Sequence, residues 1–256
     1  MEIEVCAFSV EWCRDARRAG VRRVELCAGL HEGGLTPPAA QVMMARRLPG
    51  IELHVMIRPR GGDFLYSDLE FEQMKEDIRF VKSRGADGVV LGILRADGSV
   101  DTGRTRELVE IAAPLPVTFH RAFDMTRDLY RSLEEVTRCG CARVLTSGGR
   151  ARAEEGVEVL RELARRAAGR VKIMAGSGVH AGNVGLLAAT GVAAVHLSGR
   201  GVRDSGMRFR NAAVSMGGVP GIPEYEASFC DVSRVAAVVA ALGLEADGEG
   251  AALARV

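Results

Sequence analysis

Glu25 and Cys27 stand two positions apart in Val24-Glu25-Leu26-Cys27. In an extended chain they share one face, while Val24 and Leu26 share the other. A carboxylate beside a thiol is suited to proton exchange or to holding a metal. The same alternation recurs along the chain. Glu4 and Cys6 alternate with Ile3 and Val5, and His54, Met56 and Arg58 with Leu53, Val55 and Ile57. Thr118 and His120 alternate with Val117 and Phe119, and His196 and Ser198 with Val195 and Leu197. Ser147 and Lys172 add to the polar set. A single such residue is best read as a satisfied polar group in the core. Many on one face are different, because burying an unpaired charge costs on the order of several kcal/mol. Such groups must pair, meet water or serve a ligand.

Candidate roles follow from residue type. His120 is a candidate acid or base, Asp124 could orient or charge it, and Glu25 completes a catalytic set. In Arg58-Pro59-Arg60-Gly61-Gly62-Asp63, two guanidinium groups flank a rigid proline and precede a glycine pair, an arrangement suited to an anion. A structural Arg60–Asp63 ion pair would use the same residues. Gly176-Ser177-Gly178 and Ser198-Gly199-Arg200-Gly201 could cradle a phosphate or carboxylate on backbone N–H groups. The candidate anion-binding set is therefore Arg58, Arg60, Ser147, Gly176, Gly178, His196, Ser198 and Gly199. Cys6 and Cys27 end adjacent apolar runs, and neighbouring strands lie ~4.8 Å apart. Two thiolates that close could hold Cu(I), but on spacing alone two small buried thiols are the better reading, because two cysteines give no metal signature like a C-x-x-C pair. Lys172 opens its run, which favours a paired lysine over a Schiff base.

These residues need elements to position them. Short apolar runs at 3–8, 22–27, 52–58, 88–93, 116–121, 143–147, 171–175 and 194–198 predict eight strands. Helical stretches follow at 9–19, 38–48, 67–84, 101–113, 128–138, 151–168, 181–189 and 231–242. Ser67-Asp68-Leu69-Glu70 has the form of a capping box. Glycines 20, 85, 140, 169 and 191 fall just past helix ends. Eight βα units predict a parallel sheet closed into an α/β (β/α)8 TIM barrel over residues 1–242. An open doubly wound sheet is the alternative, disfavoured because no G-x-G-x-x-G follows the first strand. In a barrel the site lies at the C-terminal ends of the strands, where Cys27, Arg58, His120, Ser147 and Ser198 fall. Residues 201–228 form the one long irregular connection, suited to a lid, an oligomer contact or disorder. Residues 243–256 read as a flexible tail.

Composition excludes other classes. Lys+Arg number 34 against Asp+Glu 33, a net charge of +1 that offers no support for binding nucleic acid or a membrane surface. No apolar run approaches the ~18 residues of a membrane span, and the start lacks a secretory signal pattern. Six irregularly spaced cysteines are expected to be reduced, in the cytoplasm. No G-x-S-x-G, H-E-x-x-H or C-x-x-C motif occurs.

Several stretches together resemble the CutC family. They are Glu4-Val5-Cys6, Arg23-Val24-Glu25-Leu26-Cys27-Ala28-Gly29-Leu30-His31-Glu32-Gly33-Gly34-Leu35-Thr36-Pro37, His54-Val55-Met56-Ile57-Arg58-Pro59-Arg60-Gly61-Gly62-Asp63-Phe64 and Thr118-Phe119-His120-Arg121-Ala122-Phe123-Asp124. Leu145-Thr146-Ser147-Gly148, Met207-Arg208-Phe209-Arg210-Asn211 and Met216-Gly217-Gly218 extend the likeness to about residue 240. The resemblance implies a cytoplasmic TIM barrel, a homo-oligomer such as a dimer or tetramer, and a role in copper homeostasis with Cu(I) at Cys6 and Cys27. It implies no catalytic activity. His196-Leu197-Ser198-Gly199-Arg200 departs from the His-Gly-Ser-Ala-Arg more usual in related chains. Two functions stay open: a Cu(I)-binding homeostasis protein, and an enzyme using Glu/His acid–base chemistry on a small anionic or phosphorylated substrate.

Overall fold

The eight apolar runs pair in sequence order, all parallel, and the last closes on the first. The structure is a computed structural model and describes residues 1–214 and 221–244. The strands are β1 (Glu2–Ala7), β2 (Arg23–Leu26), β3 (Glu52–Met56), β4 (Gly88–Leu91), β5 (Val117–Phe119), β6 (Arg143–Thr146), β7 (Lys172–Gly176) and β8 (Ala194–Leu197). The helices are α1 (Val10–Arg18), α2 (Ala39–Arg46), α3 (Asp68–Ser83), α4 (Thr102–Ala112), α5 (Leu129–Arg138), α6 (Val157–Ala167), α7 (Val184–Ala188) and α8 (Val232–Ala241). This is the expected TIM barrel.

Local chemistry sets the boundaries. Ser67 and Glu70 form the capping box of α3, and Gly85 ends that helix at φ +79°. α6 and α7 are shorter than their sequence patterns. Ala153–Gly156 forms a 3-10 turn before α6, and residues 181–183 stay outside α7.

The connection between β8 and α8 differs from expectation. It contains two antiparallel strands, β9 (Arg200–Asp204) and β10 (Glu226–Cys230). Neither shows a clean apolar alternation, so pairing of the backbone carries them. Phe229 packs flat on Gly201, where a Cβ would lie 2.7 Å from the ring. The Met216-Gly217-Gly218 stretch lies outside the described residues, as does the expected tail from residue 245 onward.

Alternation divides the strands as their composition requires. Val5, Val24, Leu26, Leu53, Val55, Ile57, Val89, Leu91 and Phe119 pack beneath the helices in the main core. The inward faces carry the polar residues, in two storeys.

The lower storey is a closed ionic plug. Glu2 pairs with Arg23, Lys172 and, at 3.1 Å, Arg143. Glu52 accepts from Arg23 at 2.9 Å and lies 3.0 Å from His54. Arg143 also donates to Thr118 at 3.2 Å. His54, Thr118 and Lys172 therefore support the barrel from below, and Lys172 is half exposed rather than interior.

Burial pushes the Glu2 carboxyl up, but Lys172, Arg23 and Arg143 outweigh it and hold it at about 2. A lowered folded value means stability that is present above 4.5 and lost as pH falls toward about 2. Glu2→Gln is expected to flatten the pH dependence of the urea midpoint across that window. An unchanged slope would remove Glu2 from the acid response.

Candidate functional site

The upper storey opens into a cavity of about 670 Å³ at the C-terminal ends of the strands. Register builds its floor. β1 pairs with β8 so that Glu4 lies opposite His196, and β1 pairs with β2 so that Cys6 lies opposite Glu25. His196 Nδ1 lies 2.8 Å from Glu4 Oε1, and its Nε2 lies 3.5 Å from Glu25 Oε2. Cys6 Sγ and Cys27 Sγ are 3.8 Å apart. One donor atom each from Cys6, Glu25 and His196 lies within 4.8 Å of the others, a spacing that a single metal ion could bridge. Cys6 lines the cavity, while Cys27 is sealed behind it beside Gly34. A Cβ at Gly34 would come within 3.3 Å of Cys27 Sγ and of Met56 Cε.

Burial and neighbours set the charges. The hydrogen bond from Cys27 draws the Cys6 thiol down to about 6 against the opposing effect of burial, and His196 assists. Burial disfavours the His196 cation, but Cys6, Glu25 and Glu4 overcome it and hold the imidazole well above its ordinary value. Burial raises Glu4, yet the hydrogen bond and charge of His196 keep it below the usual carboxylate range. Glu25 is pushed well up by burial and then by Cys6. Cys27 is raised by burial and by the same hydrogen bond that lowers Cys6. The neighbours thus favour the charged forms of Cys6, His196 and Glu4 and the protonated forms of Glu25 and Cys27.

The chain matches the model of the CutC family over residues 1–201. The CutC family protein of Chromobacterium violaceum is 48% identical over 241 residues, covering 94% of this chain and 97% of that protein. The human copper homeostasis protein cutC homolog is 47% identical over 234 residues, covering 91% and 86%. The chain belongs to the CutC family. The crystal structure of the Streptococcus agalactiae CutC protein superposes with a TM-score of 0.74 at 34% identity, covering 77% of this chain and 98% of that one.

Other candidate residues of this CutC-family chain take different places. Arg58 lines the cavity, but its terminal nitrogens donate to the carbonyls of Glu32, Gly34 and Gly62 at 2.7, 3.1 and 2.8 Å. It therefore holds the loops after β2 and β3 together. Arg60 lies outside the cavity lining and binds Asp63 and Glu70 at 2.8 and 2.7 Å, the structural ion pair weighed against an anion site.

His120 lines the cavity without acting as expected of a base. Burial and the charge of Arg58 bring it down to about 3. The Ala122 N–H donates to Nδ1 at 3.1 Å, which places the remaining proton on Nε2. Neutral His120 is a hydrogen-bond donor at ordinary pH. Gly92 gives it room, since a Cβ there would lie 2.5 Å from the ring.

Asp124 does not orient His120. It accepts from Thr146 Oγ1 at 2.5 Å, from the Ser147 and Gly149 N–H groups at 3.0 Å, and from Arg121 Nε at 2.8 Å. With Ser147, which donates to it at 3.0 Å, Asp124 shapes the loop after β6.

The expected anion set is split between two places. Gly178, Ser198 and Gly199 line a separate cavity of about 700 Å³ with Arg152, His180, Arg200 and Arg234. Gly176 lies between the two, where a Cβ would meet Leu145 and His196. Phe64, Leu65, Leu94 and Met125 wall the main cavity, and as loop residues they carry no periodic signal in the sequence. Glu4 was visible on the polar face. Only barrel closure pairs it with His196.

Proposed function

We propose that this chain serves copper homeostasis by binding Cu(I) at Cys6 and Cys27. The observation that carries the reading is the pair of sulfurs 3.8 Å apart at the cavity floor. Cu(I) favours soft thiolate ligands in low coordination. His196 and Glu25 stand at the same point as further candidate ligands. The human relative's name, copper homeostasis protein, supports the assignment.

Metal capture here must displace the proton of Cys27, whose thiol is raised by burial and by Cys6, while Cys6 is drawn down. Competition titration against a chromogenic Cu(I) chelator tests it. Cys6→Ser/Cys27→Ser is expected to weaken Cu(I) binding by at least about 1,000-fold, because two thiolate ligands are lost. Equal binding by the variant and the wild type would overturn the reading.

The cytoplasm suits six free cysteines, and among the described residues no helix is long and apolar enough to cross a membrane. A homo-oligomer fits the exposed Val202, Met207 and Phe209 of the β9–β10 segment.

A second reading has its own support. A metal ion does not need 670 Å³, and the cavity has apolar walls and buried donors without partners. The mouth would then act on a small organic molecule, with the protonated Glu25 available as an acid and His120 as a donor.

A further inference from the structure

The floor of the mouth has the connectivity of a nucleophile, a base and an orienting acid. Glu4 holds His196 through Nδ1 at 2.8 Å, which fixes the plane and tautomer of the ring. Nε2 is left to face Cys6 and Glu25. Cys6 lines the cavity, so its sulfur lies where a bound molecule would sit. A nucleophile beside a base, itself held by a third group, is the recurring arrangement of covalent catalysis. Copper held by the two thiols does not by itself require the Glu4–His196 hydrogen bond.

The walls indicate what would be attacked. Among the described residues, Arg58 Nε and His120 Nε2 are buried donors with no hydrogen-bond partner, on residues only 6% and 3% exposed. Buried donors left unpaired in a native fold call for an acceptor. The terminal nitrogens of Arg58 already serve main-chain carbonyls, so a phosphate dianion finds no free guanidinium fork there. At the rim, Arg121 is paired with Asp124 at 2.8 Å and Arg95 with Asp101 at 3.7 Å, so neither offers a free cation. A neutral carbonyl oxygen suits these donors better than a highly charged anion. Phe64, Leu65, Leu94 and Met125 would enclose a short apolar acyl group.

We propose that Cys6 is a nucleophile toward a small acyl ester or thioester, with His196 as its acid–base partner and Glu4 as the residue that positions the imidazole. The proposal rests on the reading that the mouth acts on a small organic molecule. His196 takes the thiol proton as the Cys6 sulfur attacks the carbonyl carbon. A carbon–sulfur bond forms, the bond to the leaving oxygen or sulfur breaks, and His196 returns its proton to the leaving group. Water then attacks the acyl carbon and gives a proton to His196. The bond to Cys6 breaks, releasing a carboxylic acid and restoring the starting state. The sum is ester plus water giving acid plus alcohol, or thioester plus water giving acid plus thiol.

p-Nitrophenyl acetate, mixed with the copper-stripped full chain, tests this. Wild type is expected to release a burst of about one equivalent of p-nitrophenolate per chain, as an acyl-enzyme requires. Peptide mapping should place the acetyl group on Cys6. Cys6→Ser should lose both burst and adduct. His196→Asn should slow acylation by at least about 100-fold at unchanged circular dichroism. Glu4→Gln should abolish the low-field Nδ1 proton resonance of His196 along with the burst, a spectroscopic change that loss of packing elsewhere would not give. If a variant fails to fold, mapping on wild type still decides: acetyl groups spread over several cysteines, or absent from Cys6, overturn the proposal. Saturable hydrolysis that survives Cys6→Ser would overturn the nucleophile while sparing the small-molecule reading. No saturable reaction at all would overturn both.

Discussion

Arg58→Ala is expected to lower folding stability by about 3 kcal/mol, because it strips the donors from main-chain carbonyls that have little access to water. The guanidinium is 6% exposed and reaches Glu32, Gly34 and Gly62 from one position. The Gly34 carbonyl is the most deeply buried of the three contacts, and it lies beside Cys27. Loss of the fork should therefore loosen the loop that backs the thiol pair as well as weaken the fold. Arg58→Lys should recover little, since an ammonium cannot address carbonyls on two loops in one plane. Urea denaturation of the three proteins checks the claim. A loss under about 1 kcal/mol would mean that water replaces the guanidinium without strain.

His196→Ala should cost about 3–5 kcal/mol at neutral pH, the usual penalty for leaving a buried charge without its partner. Glu4 is 1% exposed and its other oxygen has no hydrogen-bond partner among the described residues. In the wild type, His196 holds the Glu4 carboxyl below its ordinary value, so this contribution to stability is present above 4.5 and fades as pH falls. Without His196, only the more distant charges of His54 and Arg143 oppose burial, and the carboxyl rises. The variant then takes up a proton on Glu4 at a pH where wild type does not. Its deficit should be largest at neutral pH and shrink toward about pH 5. Stability curves at both pH values would show this, and a deficit independent of pH would assign the loss to packing.

The barrel was legible because each strand repeats one pattern: apolar residues toward the helices and polar ones inward. The pattern survived the short strands, and Gly85 and Ser67 marked helix ends by chemistry that acts locally. The cavity was legible in part. Cys6, Glu25, Arg58, His120 and His196 all line it, as alternation and the strand ends indicated.

What the sequence could not convey was partnership. His120 and Asp124 are four residues apart and do not bond, because the intervening 3-10 turn sends Asp124 to the loop after β6. Glu4 and His196 are 192 residues apart and do bond, because β8 closes on β1. Arg60 and Ser147 carry groups suited to an anion, and loop geometry directs both to their own neighbourhoods. The β9–β10 pair escaped notice because backbone pairing formed it without an apolar alternation.

The two storeys of the barrel interior divide responsibility between them. Glu2, Glu52, Arg23, Arg143 and Lys172 satisfy one another below the cavity, without help from Cys6, Cys27 or His120. The residues of the mouth could be exchanged, trading one chemistry for another, without disturbing the foundation that keeps the barrel closed. That separation makes the scaffold evolvable, and a designer who wished to graft a new site onto it would begin above Glu4 and leave Glu2 in place.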